Sequence, residues 1–245
     1  MITGILFDKD GTLYDFERSW SGFAGAMLLD LAEGDAARAR SLGQRIGFDT
    51  EDSRFAPDSC VIAGTDDDIC AALLPGLPGM TDHDLRPRLA RAAAAAPMVE
   101  AVPLRALLAR LQAMGLKLGV ATNDTEGSAR AHLTATGILD LFDSVVGFDS
   151  GHGAKPGPGM CRAFAERFGL VPGEVLMIGD SLHDLHAGRA AGMVVVAVLT
   201  GMADDAVLAP HADLVIPDIG VLPGLLARGA IPSRTEMEGE APQTG

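Results

Sequence analysis

The stretch GILFDKDGTLYDF, residues 4–16, runs an apolar segment straight into Asp8 and Asp10, which flank Lys9 and are followed at once by Gly11 and Thr12. A short, continuously apolar run is what a strand covered on both faces looks like, as in a parallel sheet. Ligands of an open parallel sheet bind beyond the carboxyl ends of its strands. Two carboxylates at such an end, two residues apart, can point to one side if the extended geometry persists, and they need something of opposite charge. By the same alternation Lys9 points away from them and is expected to take no part in the chemistry.

The rest of the chain repeats the pattern. Apolar runs at 2–8, 116–122, 144–148, 175–180, 194–199 and 213–218 alternate with helical stretches at 103–114, 125–136, 159–169, 182–191 and 220–227. Pro158 sits at one helix start, and Gly137, Gly169 and Gly192 sit at helix ends, as helix punctuation requires. Such alternation predicts an α/β fold with a Rossmann-like, doubly wound parallel sheet.

More than a hundred residues separate the first strand from the second, whereas a βαβ unit needs about thirty. The excess, 16–97, reads as helical and acidic, with Trp20, Phe23, Met27, Leu28 and Leu31 at helical spacing and Thr81 or Asp82 as a later cap. The expected organisation is a sheet core of residues 1–15 plus 98–228, an inserted α-helical domain at 16–97, and a mobile tail at 229–245. LPGLPG at 74–79 and the region of Pro97 are the expected joints, and the acidic TDDD at 65–68 is expected to be a solvated helix start.

Each remaining strand end offers a polar group. The second delivers Thr122 and Asn123, the loop DSGHGAKPG brings Lys155, and VLMIGD ends in Asp180, with Asp184 four residues on. Converging carboxylates repel unless a divalent cation neutralises them, and an oxygen-only ligand set favours Mg²⁺. A lysine and a hydroxyl beside them suit a phosphoryl group, whose transfer is catalysed by positioning and charge neutralisation.

DKDGTL (8–13), VATND (120–124), AKPGPG (154–159) and IGDSLHD (178–184), in this order, resemble the four motifs of the haloacid dehalogenase superfamily, in its phosphoglycolate phosphatase-like branch with an α-helical cap. The resemblance implies that Asp8 is a nucleophile forming an aspartyl phosphate, and that Asp10 is the general acid and then base, its backbone carbonyl also reaching the metal. It implies Mg²⁺ held by Asp8, Asp10 and Asp180, with Asp184 behind them or paired with Lys155. Gly11, Thr122, Asn123 and Lys155 would receive the phosphate. The implied substrate is a small phosphate monoester.

Composition narrows the alternatives. A net charge of −14 argues against a nucleic-acid partner, since phosphate backbones are bound through clustered lysine and arginine. No apolar run is long enough to span a bilayer, MITGILFDKDG lacks a secretory leader's pattern, and Cys60, Cys70 and Cys161 have no Cys-x-x-Cys spacing. A cytoplasmic protein with inert cysteines is expected. A sugar phosphomutase of the same fold, or a non-catalytic phosphate-binding relative, remains the alternative. Dehalogenase chemistry is disfavoured because a departing halide needs no acid such as Asp10, and a receiver-type module because its acceptor lies on an internal strand without an insertion. Tyr14, Phe16 and Trp20 are expected to be core residues at the insert entrance. His183 and His186 are expected to be solvated or packed, and His152 borders Lys155.

Overall fold

A computed structural model describes residues 1–234 and 236. The chain enters through β1 (Gly4–Phe7) and passes into α1 (Phe16–Leu31), α2 (Ala36–Arg45), a hairpin of β2 (Phe48–Asp49) and β3 (Arg54–Phe55), then α3 (Cys60–Ala63), α4 (Asp66–Leu73) and α5 (Asp82–Ala94). Strands and helices then alternate through α6 (Leu104–Ala113), β4 (Lys117–Ala121), α7 (Glu126–Ala135), β5 (Ser144–Val146), α8 (Gly159–Phe168) and β6 (Val175–Gly179). The chain continues through α9 (Leu182–Ala190), β7 (Val194–Val198), α10 (Asp205–Leu208), β8 (Leu214–Ile216) and α11 (Leu222–Ala227).

Six strands form one sheet in the order β5-β4-β1-β6-β7-β8. Every pairing is parallel, and Phe7 lies opposite both Val120 and Ile178. Connections run outward in both directions from β1, so the ends of β1, β4 and β6 meet where a doubly wound sheet opens a crevice. The strands are apolar on both faces because both are covered. Ile5, Phe7, Val120 and Ile178 face one core with Leu108 of α6 and Leu133 of α7. Leu6, Met177 and Val195 face the other with Phe164 of α8 and Leu185 of α9.

Residues 16–96 bury a separate cluster that includes Leu28, Leu42, Phe48, Phe55, Leu73, Leu77 and Leu85. The chain leaves and re-enters the sheet side by side: Asp15 N–H donates to Val99 O and Ala101 N–H to Leu13 O, both at 2.9 Å. The Asp15 carboxylate caps α1, and Thr81 rather than Asp82 caps α5, in a reciprocal box with Asp84.

Three expectations are corrected. LPGLPG is no joint but a turn between α4 and α5, and Leu77 within it is buried in the insert core. The insert is not wholly helical, because β2 and β3 pair within it. The tail does not loosen at 229, since Ile231 packs into the sheet core; 235 and 237–245 lie outside the described residues. Among the described residues no helix is long and apolar enough to cross a membrane.

Candidate active site

β1 stops at Phe7, and the chain turns away through Gly11 at φ +75°. A Cβ at Gly11, or at Gly201 in the loop after β7, would collide with the Asp180 carboxylate. Glycine at both positions lets two backbone segments close onto that acid. Thr12 Oγ1 donates to Asp180 Oδ1 at 3.3 Å, and Thr200 Oγ1 donates to Gly11 O at 2.6 Å.

Asp8, Asp180 and Asp184 converge at the strand ends, buried, with one carboxylate oxygen from each within 4.8 Å of the others. Lys155 reaches them from the loop after β5. Its ammonium donates to Asp8 Oδ1 and Asp184 Oδ1, each at 2.6 Å, and to Ala121 O at 2.9 Å. Three carboxylates against one ammonium leave two negative charges uncompensated if all are ionised. Burial, followed by the charge of Asp184, pushes the Asp8 carboxyl up to about 7 despite Lys155. Burial, then Asp8 and Asp184, pushes Asp180 well above the usual carboxylate range. Burial alone would weaken the Lys155 ammonium, but Asp184 and Asp8 together hold it above its ordinary value.

A buried oxygen-only donor set that carries two excess negative charges when fully ionised fits a hard divalent cation such as Mg²⁺. Asp8 and Asp180 are the acids with oxygens to spare. Asp184 spends Oδ1 on Lys155 and Oδ2 on the Ser181 N–H and hydroxyl at the start of α9, which suits an orienting role.

Asp10 belongs to a second network. Its Oδ1 accepts from Trp20 Nε1 at 2.8 Å, and its Oδ2 lies 2.7 Å from the Lys9 ammonium. Lys9 is completely buried and also lies 3.0 Å from both Asp124 Oδ2 and His132 Nδ1. The approach to Asp124 is a charge contact rather than an aligned hydrogen bond, since that oxygen makes none among the described residues. His132 Nε2 lies 2.8 Å from Ala93 O of α5 and must carry the proton, because a carbonyl only accepts; Nδ1 is then the acceptor from Lys9. Burial, then the neighbouring lysine, lowers the His132 pKa and keeps the ring neutral. For Lys9 burial works against the charge, while Asp10 and Asp124 outweigh it and raise the pKa.

Lys9 therefore does not point away from the acids, as alternation suggested, but holds one of them. Replacing it with methionine would strand two half-buried carboxylates that it pairs from a fully buried position, at a cost of about 3 kcal/mol in folding stability. In denaturant unfolding, Asp124→Asn placed on Lys9→Met is expected to recover part of that loss, with a coupling of about 0.5–3 kcal/mol. Simple additivity of the two substitutions would contradict the pairing.

Asp8, Asp10, Thr122, Asn123 and Lys155 line one cavity with the insert. Thr122 Oγ1 accepts from Asp124 N–H at 3.1 Å, which orients the hydroxyl. Asn123 is committed to the protein: Oδ1 accepts from Lys155 N–H at 2.8 Å, and Nδ2 donates to Lys155 O at 3.0 Å and to Ala63 O of the insert at 2.8 Å. Its visible work is to fix the Lys155 backbone rather than to face the cavity with a free donor.

Sequence reasoning missed three residues here. Trp20 is a ligand of Asp10 as well as a packing residue, whereas Tyr14 and Phe16 are buried core as expected. His183 donates through Nδ1 to Ala63 O at 3.0 Å, a second tie to the insert. Asp66 lines the cavity instead of lying in a solvated helix start. His152 is exposed and does not line the cavity, and His186 pairs with His211 at the surface.

The profile of the haloacid dehalogenase-like hydrolase family matches residues 2–192. Along the whole length, the chain is 33% identical over 250 residues to a phosphoglycolate phosphatase of Rhodospirillum rubrum, covering 96% of this chain and 99% of that protein. It is 32% identical over 239 residues to a phosphoglycolate phosphatase of Yersinia pseudotuberculosis, covering 91% and 95%. A crystal structure of a predicted phosphoglycolate phosphatase from Haemophilus somnus superposes with a TM-score of 0.69 at 22% identity, over 92% of this chain and 98% of that one.

Proposed function

Because this chain belongs to the haloacid dehalogenase-like hydrolase family, we propose that it is a Mg²⁺-dependent phosphatase that hydrolyses a small phosphate monoester through an aspartyl phosphate on Asp8. The reaction class, hydrolysis of a phosphoric monoester, follows from the family and the full-length relatives. The metal, the residue roles and the substrate are the proposal. The observation that carries it is the Asp8–Lys155–Asp184 bridge, buried at the strand ends and opening on the same cavity as Asp10.

Asp8 Oδ1 is held by Lys155, which leaves Oδ2 to attack phosphorus. As the new P–O bond forms, the bond to the leaving alkoxide breaks and that oxygen takes a proton from Asp10. In the second half, water attacks the phosphorus of the aspartyl phosphate and gives its proton to Asp10, releasing inorganic phosphate and regenerating Asp8. Lys9 and Trp20 hold the Asp10 carboxyl in place through both halves. Thr122 and Lys155 face the phosphoryl oxygens. Mg²⁺ bound by Asp8, Asp180 and the Asp10 backbone carbonyl would neutralise charge on the phosphoryl group.

Residues 16–97 act as a cap over the core of 1–15 plus 98–228, excluding bulk water from the reacting groups. Ala63 O, gripped by Asn123 and His183, ties the two together beside the bonds from Trp20 to Asp10 and from His132 to Ala93 O. The test is phosphate release from a panel of small phosphate monoesters, with Mg²⁺ and after chelation. Turnover is expected with the metal and should fall at least 100-fold on its removal, returning when Mg²⁺ is restored. Equal rates in chelator would contradict the metal assignment.

A further inference from the structure

The relatives' name points to phosphoglycolate, whose leaving group carries a carboxylate; the cavity wall does not suit one. The insert contributes hydrocarbon from Trp20, Phe23, Met27, Ile62 and Ile69. The charged groups that join this wall beyond the reacting centre are Asp66 from α4 and Asp124 after β4, both acidic. Burial and the nearby Asp124 push the Asp66 carboxyl up to about 6.

Among the described residues lining the cavity there is no arginine, and Lys155 is the one lysine. The three protons of its ammonium are already assigned to Asp8, Asp184 and Ala121 O. Nδ1 of His183 is committed to Ala63 O. An anionic leaving group would therefore enter a largely apolar space with no unpaired cation to receive it and with Asp66 to repel it, Asp124 being already paired with Lys9.

We propose that the alcohol half of the substrate is uncharged and largely hydrocarbon, so that the cavity selects small alkyl-type phosphate monoesters and discriminates against carboxylate-bearing ones. This inference rests on the phosphatase reading. The cavity sets the size: its volume is about 90 Å³, where about 10–15 Å³ in the same measure holds one water. The phosphoryl group beside Asp8, Thr122 and Lys155 takes part of that space, so what remains holds a chain of a few carbons.

The test compares kcat/KM of the native enzyme with Mg²⁺ on methyl, ethyl and n-propyl phosphate, glycerol 3-phosphate and 2-phosphoglycolate. Each added methylene is expected to raise kcat/KM by about fourfold until the cavity is full. n-Propyl phosphate is expected to exceed 2-phosphoglycolate by on the order of tenfold or more. A flat alkyl series with 2-phosphoglycolate ahead would overturn the inference and leave the phosphatase reading standing. Hydrolysis of none of the esters would overturn that reading and the inference with it. Ile69→Lys places a cation on the wall and is expected to move the ratio toward 2-phosphoglycolate by about tenfold. A folded variant with an unmoved ratio would contradict the placement of the leaving group against this wall.

Discussion

Asp8→Asn is expected to lower kcat by on the order of 10⁴-fold or more, about 5 kcal/mol of transition-state stabilisation, because the amide cannot form the covalent intermediate. The same substitution should not harm the fold. It removes one negative charge from a buried group of three acids that share a single lysine, while keeping the shape of the side chain. In metal-free buffer the melting temperature of Asp8→Asn is therefore expected to equal or exceed that of the native protein. Opposite signs in activity and stability are the mark of an acid placed for chemistry at the expense of packing. A variant that lost both together would instead make Asp8 a structural residue.

Lys155→Met is expected to destabilise strongly as well as to inactivate. The lysine is the counter-ion of both Asp8 and Asp184, and its ammonium is nearly inaccessible. Without it the acids that remain are buried and uncompensated, and breaking a buried pair from one side costs about 3–5 kcal/mol. That is a large share of a typical total of about 5–15 kcal/mol. For a chain of this size it corresponds to a fall of roughly 10 °C in Tm. Mg²⁺ in excess should return part of the loss, since a ligand that binds the folded state raises its stability. An arginine should not substitute, because a planar fork cannot take the place of a compact ammonium donating in three directions. Thermal melts of the methionine and arginine variants, with and without Mg²⁺, check both statements; a Tm unchanged in Lys155→Met would contradict the counter-ion role.

Both variants act on residues that the motifs already mark, and the sheet around them was legible for a simple reason. Each strand is buried on both faces, so its run of apolar residues is continuous, and the helices between them end at Gly137, Gly169 and Gly192, all with positive φ. Asp8, Thr122 and Asp180 follow from that reading, because they stand one residue past β1, β4 and β6.

Lys9 shows where the reading stops. Period-two alternation holds only while the chain is extended, and β1 ends at Phe7, two residues earlier. The partners that decide its direction, Asp124 and His132, are 115 and 123 positions away in the chain and reach it only through the packing of β4 and α7. Asp66 was hidden differently. Three consecutive aspartates at the start of α4 look alike in sequence, and the placement of that helix over the cavity singles out one of them. The β2–β3 hairpin escaped because two-residue strands are too short to display a period. LPGLPG misled because proline and glycine mark a turn without saying whether the turn joins two domains or two helices of one.

The most direct test of the mechanism is to quench the enzyme in acid during turnover of a phosphate monoester with Mg²⁺ and to map the acid-stable phosphorylated peptide. A phosphoryl group on the carboxylate of Asp8, absent in Asp8→Asn, is the expected result. Sustained turnover with Asp8 unmodified, or with the phosphoryl group on another residue, would contradict it.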